Sequence, residues 1–434
     1  MTEAAGPPAQ PAPPEPILVA YVTARYPPMA STGTFRVEAV VRHLPAFGFR
    51  PTVITIPQGW VSQQSGSPAL GRTLPAHEAH VLRPEAPGDW VLRWASKTPV
   101  LRRLARAWAS PDILVRWARH VPRAVAADLA GHRLVLATSP PFSAMVAADG
   151  LAERLGVPCV QELRDPPSFD RRALVRSPAY VRRMQDLERT YLGRAAAVIA
   201  LTPGMRARLL QLHPELEPAR MHVVTNGYPE ELRADRSASG HQPDRFTVAY
   251  VGSFRRDTRA PGWLTPAVVL PALCGLPDET ELRIVGQVTE DQRRAMQPGS
   301  AGCRVTHLGR VPRLQAVSEM AVADVCLVLA AEEPWWIGRK VFEYLAFARR
   351  ILAVVPEGDT AELLRSSSKS VVVPLGDEPG LHRAVHRLYR QWRDGEQPSG
   401  PEPEVPTDRS SVEGIARVLR LALREAGPDR GGRS

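Results

Sequence analysis

The sequence predicts an α/β protein built from two doubly wound domains, each with a parallel sheet, that face a common cleft. Short apolar runs of strand length alternate with amphipathic stretches of helical length, which is the pattern of parallel sheets covered by helices. The chain has 434 residues, which exceeds one typical core and fits two domains. Because ligands of such sheets bind beyond the carboxyl ends of the strands, we expect the functional site in that cleft.

The apolar runs that we interpret as strands form one group in each half of the chain. In the first half they are 17–22, 51–56, 134–138, 158–161, 197–201 and 222–224. In the second half they are 246–251, 282–285, 305–308, 325–329, 351–355 and 371–373. The amphipathic stretches, which predict helices, include 35–47, 144–155, 183–192, 313–323, 339–347 and 380–392.

Polar segments without apolar periodicity mark the boundaries between these groups. The segment 233–244 predicts an interdomain linker. The predicted organisation is a disordered tail at 1–16, an N-terminal domain at 17–232, the linker, a C-terminal domain at 245–393, a loop at 394–408, a helix at 409–427 that could pack back on the N-terminal domain, and a tail at 428–434.

The formal net charge of +10 invites the hypothesis of a nucleic-acid partner. However, 52 of the 55 basic residues are arginine, and the chain has 44 prolines and a single asparagine. This composition indicates a general bias toward Arg, Pro and Ala codons, so the charge is a weak indication of a polyanion-binding surface. We expect no nucleic-acid partner; the alternative predicts DNA or RNA affinity that falls steeply with salt.

Composition also bears on location, metals and cofactors. No apolar stretch approaches the roughly 20 residues that a membrane-spanning helix needs, and the first 16 residues lack the pattern of a signal peptide. The four cysteines are far apart without a C-x-x-C pair, and the eleven histidines form no metal-ligand pattern. These features predict a cytoplasmic protein with no disulfide framework, metal site or cofactor.

Residues 89–128 depart from the alternating pattern, because they combine many arginines with four tryptophans, Trp90, Trp94, Trp108 and Trp117. Apolar and basic side chains at helical spacing could form a face that contacts an anionic membrane, which would place the protein on the inner membrane face. The alternative is that the tryptophans pack on the sheet and the arginines are solvated.

The junction before the predicted helix 339–347 has the chemistry that a phosphate and a sugar require. A helix that begins near Gly338 directs backbone N–H groups at an anion and places Lys340 and Glu343 on one face. The ammonium would neutralise phosphate, and the carboxylate would accept hydrogen bonds from a diol. The alternative is an i,i+3 ion pair on a solvated helix.

The segment 339–364, RKVFEYLAFARRILAVVPEGDTAELL, resembles the donor site of family-four-type (group 1) GT-B glycosyltransferases. The shared pattern is K-hydrophobic-x-E-Y-L-A, an apolar strand, and a Pro/Gly loop that opens the next helix. The resemblance implies two Rossmann-like domains and binding of the nucleotide ribose by Glu343. The family's sugar-contacting glutamate corresponds to Trp335, so the chain resembles the subset with an incomplete paired-glutamate motif.

Segments of the first half resemble the same family in the same order. The segment 26–36 resembles its first loop, which implies that Gly33 and Thr34 approach the donor; a simple turn capped by Thr34 is the alternative. The segment 162–166, E-L-R-D-P, implies that Asp165 faces the acceptor as a base, or that it caps the loop onto Arg164.

Two further segments lie near the predicted linker. The segment 223–229 contains the only asparagine, Asn226, and resembles the family's N-G motif; it predicts either a turn with φ > 0 or a specific amide contact to the donor. The segment 250–256 resembles the Y-x-G strand end, after which Arg255 and Arg256 would meet the diphosphate.

Together these resemblances imply transfer of a sugar from a nucleoside-diphosphate sugar to an acceptor hydroxyl or amine, on a cell-surface glycan, a glycolipid or a secondary metabolite. Lys340, Arg255 and the Gly33 loop would stabilise the leaving diphosphate without a metal, and Asp165 would act as the base. The alternatives are a nucleotide-sugar epimerase and a non-catalytic partner of another transferase.

Overall fold

The computed structural model of the protein describes residues 15–29, 31–60, 79–87, 111–169, 178–232, 244–252, 266–277, 279–296, 303–329 and 333–427. Within these ranges the chain forms two parallel sheets flanked by helices, one in each half of the sequence. The predicted fold class is confirmed.

The strands of the N-terminal sheet are β1 (Ile17–Val22), β2 (Phe49–Ile54), β3 (His80–Leu82), β4 (Leu134–Ser139), β5 (Cys159–Leu163), β6 (Ala197–Ala200) and β7 (Met221–Val223). They lie in the order β3-β2-β1-β4-β5-β6-β7, and every neighbouring pair is parallel. The helices of this half are α1 (Thr32–His43), α2 (Val115–Val125), α3 (Ser143–Leu155), α4 (Pro178–Arg194) and α5 (Pro203–Leu212).

The strands of the C-terminal sheet are β8 (Phe246–Val251), β9 (Thr280–Val285), β10 (Cys303–Gly309), β11 (Val325–Leu329), β12 (Ile351–Val355) and β13 (Ser370–Pro374). They lie in the order β10-β9-β8-β11-β12-β13 and are parallel throughout. The helices that follow the linker are α6 (Leu270–Cys274), α7 (Glu290–Ala295), α8 (Arg313–Val322), α9 (Arg339–Phe347), α10 (Asp359–Arg365), α11 (Glu378–Arg393) and α12 (Asp408–Glu425).

The strand order reverses once in each sheet, between β1 and β4 in the first and between β8 and β11 in the second. The connections that leave the two strands at a reversal run to opposite sides, which opens a crevice beyond their carboxyl ends. The segments that follow β1, β4, β8 and β11 therefore border the predicted binding cleft.

Helix α12 leaves the C-terminal sheet and packs on the N-terminal domain beside α1. Its apolar residues Ile415 and Leu419 share one buried cluster with Val19 of β1 and Val40 of α1. The N-terminal domain therefore includes α12 in space, although more than 170 residues separate Leu232 from the start of that helix at Asp408.

A buried ion pair fixes the same helix to the edge of the cleft. Arg36 of α1 donates to Glu162 of β5 at 2.8 Å and to the hydroxyl of Ser411 in α12 at 2.5 Å. Both charged side chains are almost completely buried, so each needs the other to offset its desolvation. The bond to Ser411 brings α12 into this arrangement.

The segment that enters α12 runs directly against the predicted N-G motif. Tyr228 donates its N–H to the carbonyl of Pro406 at 3.0 Å, and Asp408 donates to the carbonyl of Tyr228 at 2.7 Å. A Cβ atom on Gly227 would collide with the backbone of Thr407. Glycine is therefore required here for a close backbone approach, although its φ is not positive.

Several sequence expectations need correction. The N-cap of α1 is Ser31, whose side chain accepts from the N–H of Thr34, so Thr34 is not the cap. Asn226 has no positive φ, so the proposed left-handed turn is wrong. Strand β3 is absent from the predicted strands.

Only part of the Trp-rich region 89–128 lies within the described residues, and Trp90, Trp94 and Trp108 fall outside them. Trp117 lies in α2 and is 1% exposed, packed with residues of β1 and α3. Trp117 therefore packs against the sheet, as the alternative to a membrane-contacting face predicts. Among the helices of the described ranges, none has the length and apolar content needed to cross a bilayer.

Replacing Gly227 by alanine should destabilise the protein by about 1–3 kcal/mol, because the added methyl group overpacks the backbone contact that docks α12. Urea unfolding followed by circular dichroism measures the effect. Gly193→Ala is the matched control, since Gly193 lies in α4 with open space around its Cβ position. That substitution should stabilise the helix by up to about 1 kcal/mol; equal shifts in both variants would contradict the role of Gly227.

Candidate functional site

Helix α9 carries the residues that the sequence singles out, and its first turn faces the cleft. Its N-cap is Gly338, which offers no side chain to the N–H groups of that turn. Tyr344 fixes the helix to the end of β8, because its hydroxyl accepts from the N–H of Val251 at 2.9 Å. Helix α9 and strand β8 are thus held in a fixed position relative to each other.

Glu343 is the centre of a cluster of charges. Its side chain is 7% exposed, and its Oε1 accepts from Nη2 of Arg313 at 2.9 Å. Nε of Arg339 lies 3.6 Å from the same oxygen, and Nζ of Lys340 lies 3.6 Å from Oε2. Three cations therefore surround one buried carboxylate.

The three cations keep this carboxylate ionised. Burial alone would raise the pKa of Glu343, but Lys340, Arg313 and Arg339 outweigh burial and hold it below the ordinary value of 4.5. For Arg339, burial opposes the charge, yet Asp408 and Glu343 raise its pKa above the ordinary range. The pKa of Arg313 moves the other way, because burial exceeds the effect of Glu343 there. Both arginines are charged near neutral pH, because a guanidinium is effectively always protonated in proteins.

The charge cluster reaches across the cleft to the N-terminal domain. The guanidinium of Arg313 lies over the ring of Phe35 in α1, with its Cζ 4.3 Å from the ring centroid. Nη2 of Arg339 donates to both carboxylate oxygens of Asp408 in α12, at 2.9 and 2.7 Å. Helices α1 and α12 on one side are thereby joined to α8 and α9 on the other.

On the N-terminal side of the cleft, Gly33 and Thr34 lie at the start of α1. The buried hydroxyl of Thr34 donates to the carbonyl of Met29 at 2.8 Å, so it stabilises the loop itself. The guanidinium of Arg164 lies so close to Gly33 that any Cβ there would collide with it. Gly33 therefore lies directly against Arg164, and its approach to the donor stays a prediction.

Asp165 follows β5 at the same edge of the sheet. Arg164 is anchored by bonds from its Nε to the hydroxyl of Thr138 at 3.1 Å and from its Nη2 to the carbonyl of Pro140 at 2.7 Å. Burial lowers the pKa of Arg164, and the charges of Glu162 and Asp165 oppose that shift. The interaction between Asp165 and Arg164 agrees with the alternative in which Asp165 caps the loop onto Arg164. Asp165 is half-buried at the cleft.

The predicted site residues therefore form two groups. Lys340 and Glu343 are in contact within α9, whereas Gly33 and Asp165 lie beside Arg164 across the cleft and Thr34 follows Gly33 in α1. Asn226 lies at the junction where α12 returns. Arg255 and Arg256 lie outside the described residues. Among the described residues, no three His, Cys, Asp or Glu side chains are grouped so that they could hold a metal ion.

Sequence reasoning missed Arg313 and Phe35, and it assigned no role to Arg339. Arg313 is the first residue of α8, directly after a strand and a short loop, so the rule that selected Lys340 would also have selected it. Phe35 follows Thr34 in the segment quoted for the first loop. No local pattern indicates that these two residues meet, because they belong to different domains.

Glu343→Gln should lower the stability of the protein by roughly 3–5 kcal/mol, because it leaves buried arginines without their counter-charge. Since the folded pKa lies below the ordinary 4.5, the carboxylate's contribution is complete above that pH and is lost as the pH falls through the folded pKa. The melting temperatures of the wild-type protein and the Glu343→Gln variant, measured from pH 8 to pH 3, should therefore converge only at acidic pH. The control is Glu357→Gln, because Glu357 is exposed and paired with Arg365. This substitution should change the melting temperature little. A difference between wild type and Glu343→Gln that does not depend on pH would contradict the role of Glu343 as a buried, ionised carboxylate.

Comparison with known proteins assigns both halves of the chain to described families. Residues 31–227 match the glycosyl transferase 4-like domain, and residues 245–391 match glycosyl transferases group 1. The chain is 36% identical over 155 residues to the α-maltose-1-phosphate synthase of Mycolicibacterium smegmatis. That match covers 32% of this chain and spans only 40% of the length of the synthase.

Solved structures share the fold over nearly the whole chain. HepE of Anabaena, crystallised with UDP and glucose, has a TM-score of 0.59 at 16% identity, covering 94% of this chain and 98% of HepE. Sucrose-phosphate synthase of Thermosynechococcus elongatus has a TM-score of 0.63 at 16% identity, with coverage of 94% and 97%. The two family matches, in the order 4-like and then group 1, confirm the resemblance inferred from the motifs. The chain belongs to the GT-B glycosyltransferases, with a 4-like N-terminal domain and a group 1 C-terminal domain.

Proposed function

We propose that the protein transfers a glycosyl group from a nucleoside-diphosphate sugar to a hydroxyl or amine of an acceptor. The observation that carries this proposal is the ionised, buried Glu343 within a cluster of cations at the start of a helix that faces the cleft. Such a site pairs a hydrogen-bond acceptor for a ribose diol with cations for a diphosphate. The structural likeness to HepE, which was solved with UDP-glucose, supports a donor of this class.

Glu343, Lys340 and Arg339 have separate parts in the proposed binding of the donor. Oε2 of Glu343 lies 3.6 Å from Nζ of Lys340, and it would accept the ribose hydroxyls. Lys340 is 43% exposed, so its ammonium can reach a diphosphate without leaving the helix. Nη1 of Arg339 is buried and has no hydrogen-bond partner among the described residues, and it would donate to a phosphate oxygen. Arg255 and Arg256 are proposed as further phosphate ligands.

The acceptor side is proposed to lie at the edge of the N-terminal sheet. Asp165 would take the proton from the acceptor as the new glycosidic bond forms, and the departing diphosphate would be stabilised by Lys340 and the first turn of α9. Gly33 and Thr34 would border the donor through the loop before α1, and Asn226 would face it from the junction. The reaction as proposed uses no metal and no cofactor.

Lys340→Ala should reduce turnover roughly tenfold or more, because the ammonium stabilises the leaving diphosphate. Glu343→Ala should weaken nucleotide binding, because the ribose loses its acceptor, in addition to the loss of stability expected for Glu343→Gln. A thermal-shift panel of UDP, GDP, ADP and dTDP sugars identifies the donor, and steady-state kinetics and calorimetry with that donor measure both variants.

The control is Arg383→Ala, which removes an exposed charge on α11. Unchanged kinetics and binding in both site variants would refute the donor site. Product analysis with the donor alone tests the epimerase alternative, since an epimerase converts the sugar without an acceptor. Failure of the wild-type protein to bind any nucleotide of the panel would favour a non-catalytic partner.

We further propose that α2 contributes a basic surface for peripheral contact with an anionic membrane. Its apolar face is buried in the N-terminal domain, whereas Arg116, Arg119 and Arg123 are exposed. An exposed row of arginines on a helix gains binding energy from anionic headgroups without inserting apolar side chains.

Replacing Arg116, Arg119 and Arg123 together by glutamine should weaken sedimentation with phosphatidylglycerol vesicles by about tenfold or more at low salt, at about 1 kcal/mol for each arginine. The same triple change at Arg383, Arg387 and Arg390, which are exposed on α11 of the other domain, is matched in charge. Equal losses in the two triple variants would mean that net charge, and not the α2 surface, governs membrane contact.

A further inference from the structure

The loop before α9 reaches across the cleft through Trp335. The indole meets the ring of Phe169 edge-on, with the two ring centroids 4.9 Å apart and the planes at 86°. It thereby packs against a buried apolar cluster that belongs to the N-terminal domain. The carbonyl of Trp335 also accepts from the hydroxyl of Thr202 at 2.5 Å, so both the side chain and the backbone of this residue bind the opposite domain.

A second contact lies next to the first. The carboxylate of Asp359, at the start of α10, accepts from the N–H of Gly204 at 2.9 and 3.2 Å. Gly204 lies in the first turn of α5, where the helix dipole favours a negative charge. The carboxylate of one domain therefore satisfies the helix terminus of the other.

The local sequence is arranged to permit both contacts. A Cβ on Gly204 would collide with the carboxylate of Asp359, and Gly358, at φ +136°, lies against the backbone of Pro334. The N–H of Asp359 donates to the carbonyl of Pro334 at 2.7 Å, which ties the Trp335 loop to the Asp359 loop. Thr202 serves both sides, because its hydroxyl also accepts from the N–H of Met205 and so caps α5.

We infer that Trp335 and Asp359 form a latch that holds the two domains together at the reacting edge of the cleft, and that they are positioning residues for transfer. Phe169 lies four residues after Asp165, and Trp335 lies five residues before Lys340. The latch therefore fixes the loop with the proposed base relative to the loop that leads into the donor helix. The part of this inference that concerns transfer rests on the proposed function.

The proposed nucleotide contacts and the latch contacts are made by different residues, which makes the inference testable. The proposed nucleotide contacts come from the first turn of α9 and from Glu343, whereas the latch involves α5, α10 and the loop after β5. Loss of the latch should therefore reduce the rate of glycosyl transfer without lowering the affinity of the protein for the nucleotide. A residue needed only for folding would impair both.

The decisive experiment compares Asp359→Ala with Asp377→Ala. Asp377 makes the same kind of contact within one domain, since its carboxylate accepts from the N–H of Gly380 at 2.8 Å in the first turn of α11. Hydrogen exchange in the first turn of α5 should become at least tenfold faster in the Asp359 variant and stay unchanged in the Asp377 variant. Equal exchange in the two variants overturns the latch.

Trp335 is tested in parallel with Trp392, which packs on Phe246 and Tyr389 within the C-terminal domain. Trp335→Ala should increase the maximum dimension seen by small-angle X-ray scattering, and Trp335→Phe should restore it because a ring still reaches Phe169. Trp392→Ala should leave the dimension unchanged. An unaltered dimension in Trp335→Ala would overturn the assignment of this residue.

Turnover and binding complete the test, with UDP-glucose as the donor and UDP as the calorimetric ligand. The two latch variants should lower kcat at least tenfold while the Kd of UDP stays within threefold of wild type. A parallel loss of kcat and UDP affinity would assign the residues to folding and overturn the positioning role. If the wild-type chain binds no nucleotide and exchange still rises only in Asp359→Ala, the proposed function fails and the latch stands.

Discussion

The structure depends on the compensation of one buried negative charge. Glu343 is ionised in a nearly dry position, and Arg313, Arg339 and Lys340 supply the counter-charge. A buried carboxylate without these partners would be strongly destabilising. Because Arg339 also binds Asp408 of α12 and Arg313 lies over Phe35 of α1, the same compensation joins the two domains. The proposed ligand recognition and the attachment of the domains thus depend on one set of charges.

The two sets of contacts between the domains differ in chemistry. In the first set, guanidinium groups bind a carboxylate and lie over an aromatic ring, and these interactions weaken with salt where solvent reaches them. In the second set, Trp335 packs edge-on against Phe169 within an apolar cluster, where salt has little effect. The domains are therefore held both by electrostatic contacts and by apolar packing.

The sequence allows the fold and the centre of the site to be predicted, because both depend on local pattern. Alternating runs locate the strands, and the start of a helix after a buried strand locates Lys340 and Glu343. The partners of Glu343 and Trp335 are not predictable in this way. Arg313 meets Phe35, and Trp335 meets Phe169, across separations of more than 150 residues. A tryptophan at the position of a family glutamate suggests only a lost polar contact, and its use as an interdomain contact becomes visible in three dimensions.

The return of α12 to the N-terminal domain has a consequence for biosynthesis. Val412, Ile415 and Leu419 complete the buried cluster on one face of the first sheet, and they are translated long after the strands that they cover. During synthesis that face of the N-terminal domain therefore stays exposed until α12 has emerged. A chain interrupted before α12 presents an apolar surface, which is a feature that chaperones and proteases recognise.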